Sequence, residues 1–428
     1  MPVNVELINT GSELMLGFVL NTHQQWLCRE LGARGYIVTR QVAVADTGEM
    51  IETAVREALG RADIVITTGG LGPTSDDVTR DRIAQLLGRK LIEDPAVVAH
   101  IESWFGRRKR AMPPRTRVQA MVPAGAVILQ NAFGTAPGLA LEVDSSGFRD
   151  ASSRTLLIML PGPPRELHPM FLNQVVPLLA EKRPPRARVA CRVFRTTGLG
   201  ESIIEERIAA PLAGLIHDGL EVGYCANIGE VELRLLARGN DAESIVEQAE
   251  QIVRNELGTH IFGVNDERLE QIVIRLLTER KETLALAESC TGGYIAHRLT
   301  NVPGASAVFL SGVVSYSDDA KKRWLGVTEE TLAAWGAVSE PAARAMAEGI
   351  RKISGATYTL AVTGIAGPTG GTPEKPLGTV FIGLAASGGT AVARELNPYD
   401  RETFKFVTAQ QALELLRRHL LKMKEPCD

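Results

Sequence analysis

Asp63-Ile64-Val65-Ile66-Thr67-Thr68-Gly69-Gly70-Leu71-Gly72-Pro73-Thr74-Ser75-Asp76-Asp77 reads as an apolar β-strand that runs into a glycine-rich turn and then an acidic helix start. Upstream, 3–10 (VNVELINT) is a strand and 20–35 an amphipathic helix closed by Gly35. A second strand spans 36–45 and a second helix 49–62. Downstream the rhythm continues through Leu156–Leu167 (LLIMLPGPPREL). This βαβα alternation predicts an α/β domain with a parallel sheet and helices on both faces. Ligands bind such sheets at the carboxyl ends of the strands, where backbone N–H groups and helix starts point. The glycines of 69–72 let backbone approach an anion closely, and Asp76 and Asp77 are suited to a divalent cation.

The stretch 181–189 (EKRPPRARV) reads as a linker and ends a first domain over 1–180. A small α+β connector follows over 186–262, with strands at 191–198 and 231–239 and helices at 201–215 and 242–258. A third domain, 265–428, is α/β again. It opens with helix 267–281 and strand 283–289, then strand 307–316 and helices 318–326 and 341–354. Strands 358–364 and 378–386 and a helix near 408–424 complete it. No repeat of fixed period occurs.

The whole composition supports this organisation. With 428 residues, 45% of them hydrophobic and 23% charged, the chain forms two or three packed domains. A formal charge of −3 gives no basis for nucleic acid or an anionic membrane as the main partner. Arg107-Arg108-Lys109-Arg110, with Arg115 and Arg117, reads as a solvated basic loop beside an anion site. No apolar run reaches the roughly 18 residues of a membrane span, and the first residues lack a secretory pattern. The five cysteines (Cys28, Cys191, Cys225, Cys290, Cys427) are scattered and form no CxxC pair. The expectation is a cytoplasmic protein. GK[ST], GxGxxG, HExxH and GxSxG are all absent, which disfavours P-loop, dinucleotide, zincin and α/β-hydrolase chemistry.

The turn at 69–77 has companions: Asn9-Thr10-Gly11-Ser12-Glu13-Leu14, Gly134-Thr135-Ala136-Pro137-Gly138 and Leu160-Pro161-Gly162-Pro163-Pro164-Arg165-Glu166. Together they resemble the N-terminal domain of the CinA (competence/damage-inducible) family, a three-layer α/β fold shared with molybdopterin-binding proteins. The resemblance implies metal-dependent hydrolysis of ADP-ribose. On that basis Gly69, Gly70, Gly72, Thr74, Gly134, Thr135 and Glu166 are ligand-binding candidates, and Glu13, Asp76, Asp77 and Asp81 hold the divalent cation. The family usually has an acidic residue in place of Ser12 and Asn in place of His23. The alternative is a regulatory or scaffold domain that binds a nucleotide or pterin without turnover.

The third domain carries Ala287-Glu288-Ser289-Cys290-Thr291-Gly292-Gly293 between a strand and the helix YIAHRLT, where small residues leave first-turn N–H groups open to a phosphate. Pro303-Gly304-Ala305-Ser306 follows, then Val314-Ser315-Tyr316, with Ser317 capping a helix that presents Lys321. Farther on stand Val362-Thr363-Gly364-Ile365-Ala366-Gly367-Pro368 and Asp400-Arg401. These blocks resemble the C-terminal nicotinamide mononucleotide (NMN) deamidase domain of the same family. Amide hydrolysis without a metal needs an activated nucleophile and a proton for the departing ammonia. The histidines of this domain, His297 and His419, fall in helices and support no Ser-His-Asp triad. A desolvated lysine can act as base.

The resemblance makes Ser306 the nucleophile, with Lys321 as base and Tyr316 orienting the pair. It places Ser289, Thr291, Gly292, Gly293, Thr363, Gly364 and Arg401 on the substrate. Arg401 suits a phosphate, while Tyr399 and Lys405 stand where relatives often carry Gly and Arg. Cys290 ranks second as nucleophile. The implied partners are NMN and ADP-ribose, neither nucleic acid nor membrane, and a second copy in a homodimer. No cofactor is implied for the deamidase. The rivals are a nucleotide sensor without turnover and an enzyme whose main activity is ADP-ribose hydrolysis.

Overall fold

A computed structural model describes residues 3–148, 154–185 and 188–422. The chain forms two compact units, residues 1–190 with 237–243 and residues 191–236 with 244–428. Residues 186 and 187 of the expected linker, and Cys427, lie outside the described residues.

The strands of the first unit are β1 (Asn4–Thr10), β2 (Ile37–Val44), β3 (Ile64–Thr68), β4 (Leu91–Glu93), β5 (Met121–Pro123), β6 (Val127–Leu129), β7 (Gly138–Asp144) and β8 (Arg154–Leu160). Six form one sheet in the order β2-β1-β3-β8-β7-β6, and β4 pairs with β5 as a separate ribbon. Every residue of β3 is buried, as a central strand of a covered sheet requires. Its alternation sorts the core into two layers. Ile64 and Ile66 pack with Leu27, Leu31 and Phe171 on one face, while Val65 packs with Ile51, Val55 and Ile83 on the other. β1, β2, β3 and β8 are parallel as expected. β7 and β6 are not: they run antiparallel. The span from Asp144 to Arg154 is too short for the crossover of a dozen or more residues that parallel pairing needs.

The second unit joins the connector to the C-terminal domain. β9 (Val189–Thr196), β10 (Glu221–Asn227), β11 (Glu230–Arg238) and β12 (Ile261–Val264) form a sheet in the order β10-β11-β9-β12. The other sheet holds β13 (Leu284–Glu288), β14 (Phe309–Val314), β15 (Tyr358–Gly364), β16 (Thr379–Ala386) and β17 (Gly389–Leu396), ordered β14-β13-β15-β16-β17. β13 is central and parallel to both neighbours, whereas β16 and β17 are antiparallel additions, the last through a tight hairpin. Leu284 and Leu286 face the helices Leu269–Arg280 and Arg401–Lys422. Ala285 and Ala287 face the helix Glu340–Ser354. β10, β17 and the helix Glu329–Trp335 were not anticipated, and the last helix begins at Arg401, earlier than its apolar pattern.

Candidate active sites

In the first unit a cavity of about 390 Å³ opens at the carboxyl ends of β1 and β3. Glu13, Gly69, Gly70, Gly72, Asp76, Asp77, Thr135 and Glu166 all line it, so four separate sequence blocks converge. Gly70 has φ +68°, and a Cβ there would stand 2.0 Å from Thr79 Oγ1, so only glycine lets the turn close over the next helix. At Gly134 a Cβ would stand 2.0 Å from Glu166 Oε2. Thr74 and Gly134 support the walls without lining them. Thr74 donates its backbone N–H to Asp77 Oδ2 at 2.9 Å, and the Gly134 carbonyl bonds His100 Nε2 at 3.0 Å. His23 bonds the Gly162 carbonyl, and burial holds its imidazole below the usual range.

Asp81 does not reach the cavity: it pairs with the buried Arg80 at 3.2 Å. Asp46, unremarked in sequence, takes a place there instead. Its Oδ2 accepts from Ser12 N at 2.8 Å, and its own N–H donates to Ser12 Oγ at 3.2 Å. Burial raises its carboxyl, and the charges of Glu13, Asp76 and Asp77 add to that rise, while the Ser12 N–H opposes it. Its position just past β2, at the binding edge, was the available signal. Among the described residues no three His, Cys, Asp or Glu side chains draw together as a metal cage. The shared carboxylates do fit a hard cation held by one or two of them together with substrate phosphates.

Burial also raises the Glu166 carboxyl, against a hydrogen bond from Asn131 Nδ2 at 2.8 Å. Gln119, 3% exposed, brings to the cavity an Oε1 with no partner. Of the basic loop, Arg117 is engaged by Glu93 at 2.7 Å and Arg108 covers the Trp104 ring.

In the second unit Ser317 caps the helix Asp318–Leu325 as expected, accepting from Ala320 N at 3.2 Å. That helix aims Lys321 inward until it is 1% exposed. Its Nζ donates to Ser289 Oγ at 3.1 Å, to the Ser315 carbonyl at 3.0 Å and to the Tyr316 carbonyl at 3.3 Å. Desolvation lowers the Lys321 pKa, opposed by the charge of Asp318. The hydroxyl that Lys321 meets is therefore Ser289. Ser306 sits exposed on the single turn Ala305–Ala307 before β14, and no bond joins it to Lys321. Tyr316 gives Lys321 its carbonyl, whereas its phenol takes a hydrogen bond from Arg401 Nη2. Arg401 also donates to the Gly367 carbonyl at 3.1 Å and has no carboxylate partner among the described residues.

The expected phosphate cradle is already filled. Glu288, 1% exposed at the end of β13, accepts from the N–H groups of Gly293 (3.0 Å), Ile295 (3.1 Å) and Ala296 (2.9 Å). A carboxylate one residue before the turn satisfies the first-turn donors itself, so a phosphate must look to side chains. Gly292 and Gly293 take φ +62° and +92° to shape this loop. Thr291 Oγ1 is buried without a partner, and Thr363 Oγ1 donates to the Ala337 carbonyl at 2.8 Å. Gly364 is a packing glycine, since a Cβ would stand 2.8 Å from Val380 Cγ2. Burial pushes the Cys290 thiol up to about 12, away from the thiolate form a nucleophile needs. A cleft of about 1030 Å³ lies against Arg401, Tyr294, Lys405 and Phe406, with Asn227 and Ile228 of the connector also lining it. Among the described residues no helix is long and apolar enough to cross a membrane.

Three family models match the chain in succession: a probable molybdopterin binding domain over residues 6–181, the damage-inducible protein CinA KH domain over 191–263, and the CinA C-terminal domain over 266–420. A CinA-like protein of Akkermansia muciniphila is 45% identical over 415 residues, covering 96% of each chain. Another from Kosmotoga olearia is 41% identical over 424 residues, covering 98% of this chain and all of the relative. Among solved structures, the competence/damage inducible protein CihA from Agrobacterium tumefaciens is 42% identical, with a TM-score of 0.34. That match covers 36% of this chain and 93% of that one.

Proposed function

Since the chain belongs to the CinA family, we propose that its C-terminal site hydrolyses NMN to nicotinate mononucleotide and ammonia. The observation that carries this reading is Lys321, a buried amine of lowered pKa that donates to the Ser289 hydroxyl and to the carbonyl of Tyr316, whose phenol takes a hydrogen bond from Arg401. Neutral Lys321 takes the proton of the attacking serine, whose Oγ adds to the carboxamide carbon. The tetrahedral adduct collapses as the lysine ammonium passes that proton to the leaving nitrogen. Ammonia departs and an acyl ester remains. Lys321 then deprotonates a water that hydrolyses the ester, and the proton returns to the serine. Arg401 holds the phosphate.

The family resemblance assigns the attack to Ser306. The 3.1 Å contact of Lys321 favours a second reading in which Ser289 attacks. Ser306→Ala and Ser289→Ala, each verified as folded, separate the two. The nucleophile's variant forms no acyl-enzyme in a rapid-quench experiment with NMN, while the other variant still does. If both variants release ammonia at the parental rate, the serine mechanism is wrong.

For the first unit the reading is ADP-ribose hydrolysis, with Glu13, Asp76 and Asp77 as the residues that would hold a divalent cation, Asp46 beside them. Such a cation offsets pyrophosphate charge and lowers the pKa of water. The backbone of Gly69–Gly72 would face the phosphates.

A further inference from the structure

The loop 161–164 leads from β8 into the helix Pro164–Met170 and puts Pro161, Gly162 and Pro163 on the wall of the first unit's cavity. Three of its four residues are prolines and carry no N–H, so it has little means of bonding to itself. It is held from outside. Just before it, the Leu160 carbonyl accepts from Gly69 N at 3.0 Å. A Cβ on Gly162 would stand 3.8 Å from Gly69 Cα, so the loop lies against the glycine turn. The Gly162 carbonyl is taken by His23 Nε2. His23 does not line the cavity; it reaches it through this one peptide group.

The other ring nitrogen decides what that bond tolerates. His23 Nδ1 is buried without a partner. With a carbonyl at Nε2, the neutral ring carries its proton there and leaves Nδ1 a bare lone pair, which costs little. Protonation puts an N–H on Nδ1 with no acceptor, and a full charge away from water. The surroundings do not offset it. His23 is the second residue of the helix Thr22–Gly32, at the positive end of its dipole. Facing it from the helix Pro164–Met170 is the His168 ring, edge-on at 6.1 Å and stacked on Trp26 at 3.8 Å. On that same helix Arg165 and Glu166 stand 3.9 Å from each other. Glu30, on the helix of His23, pairs with Arg34 at 2.6 Å. On the strands beneath, Glu6 is engaged by Arg61 at 2.6 Å and Arg40 is exposed. Burial holds the His23 imidazole below the 6.5 of a free one, against the pull of the Gly162 carbonyl. His168 is lowered too, by burial first and then by His23.

Resting on the ADP-ribose reading above, we propose that His23 is a proton-sensitive latch on the first site: neutral, it holds the loop 161–164 against the glycine turn, and protonated, it turns out to water and frees the loop. The latched ring binds its proton less readily than a ring in water. Between the latched value and 6.5 the freed state therefore binds more protons, and the latch weakens as pH falls through that window and is flat above it.

The test compares the full chain with His23→Gln, whose amide can donate to the Gly162 carbonyl without titrating, and with His23→Phe, which cannot donate. Hydrolysis of ADP-ribose with Mg²⁺ is followed from about pH 8 down to about pH 5, on either side of the imidazole range. Deuterium exchange over residues 160–170, corrected for intrinsic rates, is followed by mass spectrometry without substrate. Parental kcat/KM should fall about tenfold more than that of His23→Gln, the size of one lost hydrogen bond. Carboxylates of the site titrate in both proteins and cancel in that ratio. Exchange over 160–170 should rise in acid in the parent and stay low in His23→Gln, while His23→Phe exchanges fast at every pH. A histidine with a structural role alone would shift all pH values equally. The latch is overturned if acid leaves parental exchange unchanged or raises it equally in His23→Gln. Its hold on the site is overturned if exchange behaves as expected while the ratio of kcat/KM stays constant. If none of the proteins hydrolyses ADP-ribose at any pH, the ADP-ribose reading fails, and exchange still decides the latch.

Discussion

The two sites share one construction, a buried strand that runs into a glycine-containing turn and a helix, and they carry opposite electrostatics. At β3 the turn is surrounded by carboxylates, and Asp46 is held above its usual range by burial and by Glu13, Asp76 and Asp77. At β13 the turn's donors are closed by Glu288, and the groups beside it are basic: Lys321, buried with a lowered pKa, and Arg401. A strand–glycine–helix junction is therefore a platform whose chemistry is decided by one or two charged side chains nearby. On the proposed reading the carboxylates of the first platform suit a cation and phosphate chemistry, and Lys321 gives the second its base.

The contrast breaks most sharply at Lys321. Lys321→Ala should lower kcat for NMN deamidation roughly 10³-fold, as loss of a general base does, and leave ADP-ribose hydrolysis unchanged. An ammonia-release assay showing more than a tenth of parental activity would remove the base from the mechanism. The reciprocal change, Asp76→Ala with Asp77→Ala, should reduce ADP-ribose hydrolysis about 10²-fold or more with deamidation intact, and EDTA should reproduce that pattern. Retained hydrolysis in that variant would show the cation is held elsewhere.

Glu288→Ala tests the filled turn. It strands three donors, that of Ile295 buried and those of Gly293 and Ala296 partly so, and urea unfolding should show a loss of about 2 kcal/mol. A neutral result would mean that water replaces the carboxylate and that the turn can accept a phosphate after all.

Lys321 also sets the pH behaviour. Because burial lowers its folded-state pKa below the 10.5 of an ordinary lysine, the unfolded chain binds more protons between the two values. Stability at this site therefore rises with pH across that window and is flat below it. Deamidation should rise with pH through the same folded-state pKa as the amine becomes neutral. A rate that falls as pH rises there would assign Lys321 an acid role only.

The smallest effect is expected at Cys290. With its thiol pushed up to about 12, Cys290→Ala should keep parental deamidation and lose about 1 kcal/mol of stability. A dead variant would restore the thiol as nucleophile.

Much of the site was legible because local chemistry demanded it. Gly69 and Gly70 mark a turn whose left-handed backbone other residues refuse, Gly72 leaves room for the Asp77 carboxylate, and Ser317 before Asp318 and Asp319 marks a helix start that presents Lys321. Helices on both faces followed from period, and β3 with its two core layers agrees. Antiparallel β7 and β17 were not legible, since direction depends on the length of the connection and on which edge is vacant.

Residue types, spacing and period are properties of the chain, and they were enough to nominate strands and turns, while the role of Lys321 came with the family resemblance. Distances across the sheet are not. That Lys321 meets Ser289, that Glu288 takes the donors of Gly293, Ile295 and Ala296, that Asp46 enters the first cavity while Asp81 turns to Arg80, and that Gln119 arrives with an open acceptor were decided only by folding. The reason is physical: burial sets pKa and leaves or closes hydrogen bonds, and burial arises from contacts between segments far apart in sequence.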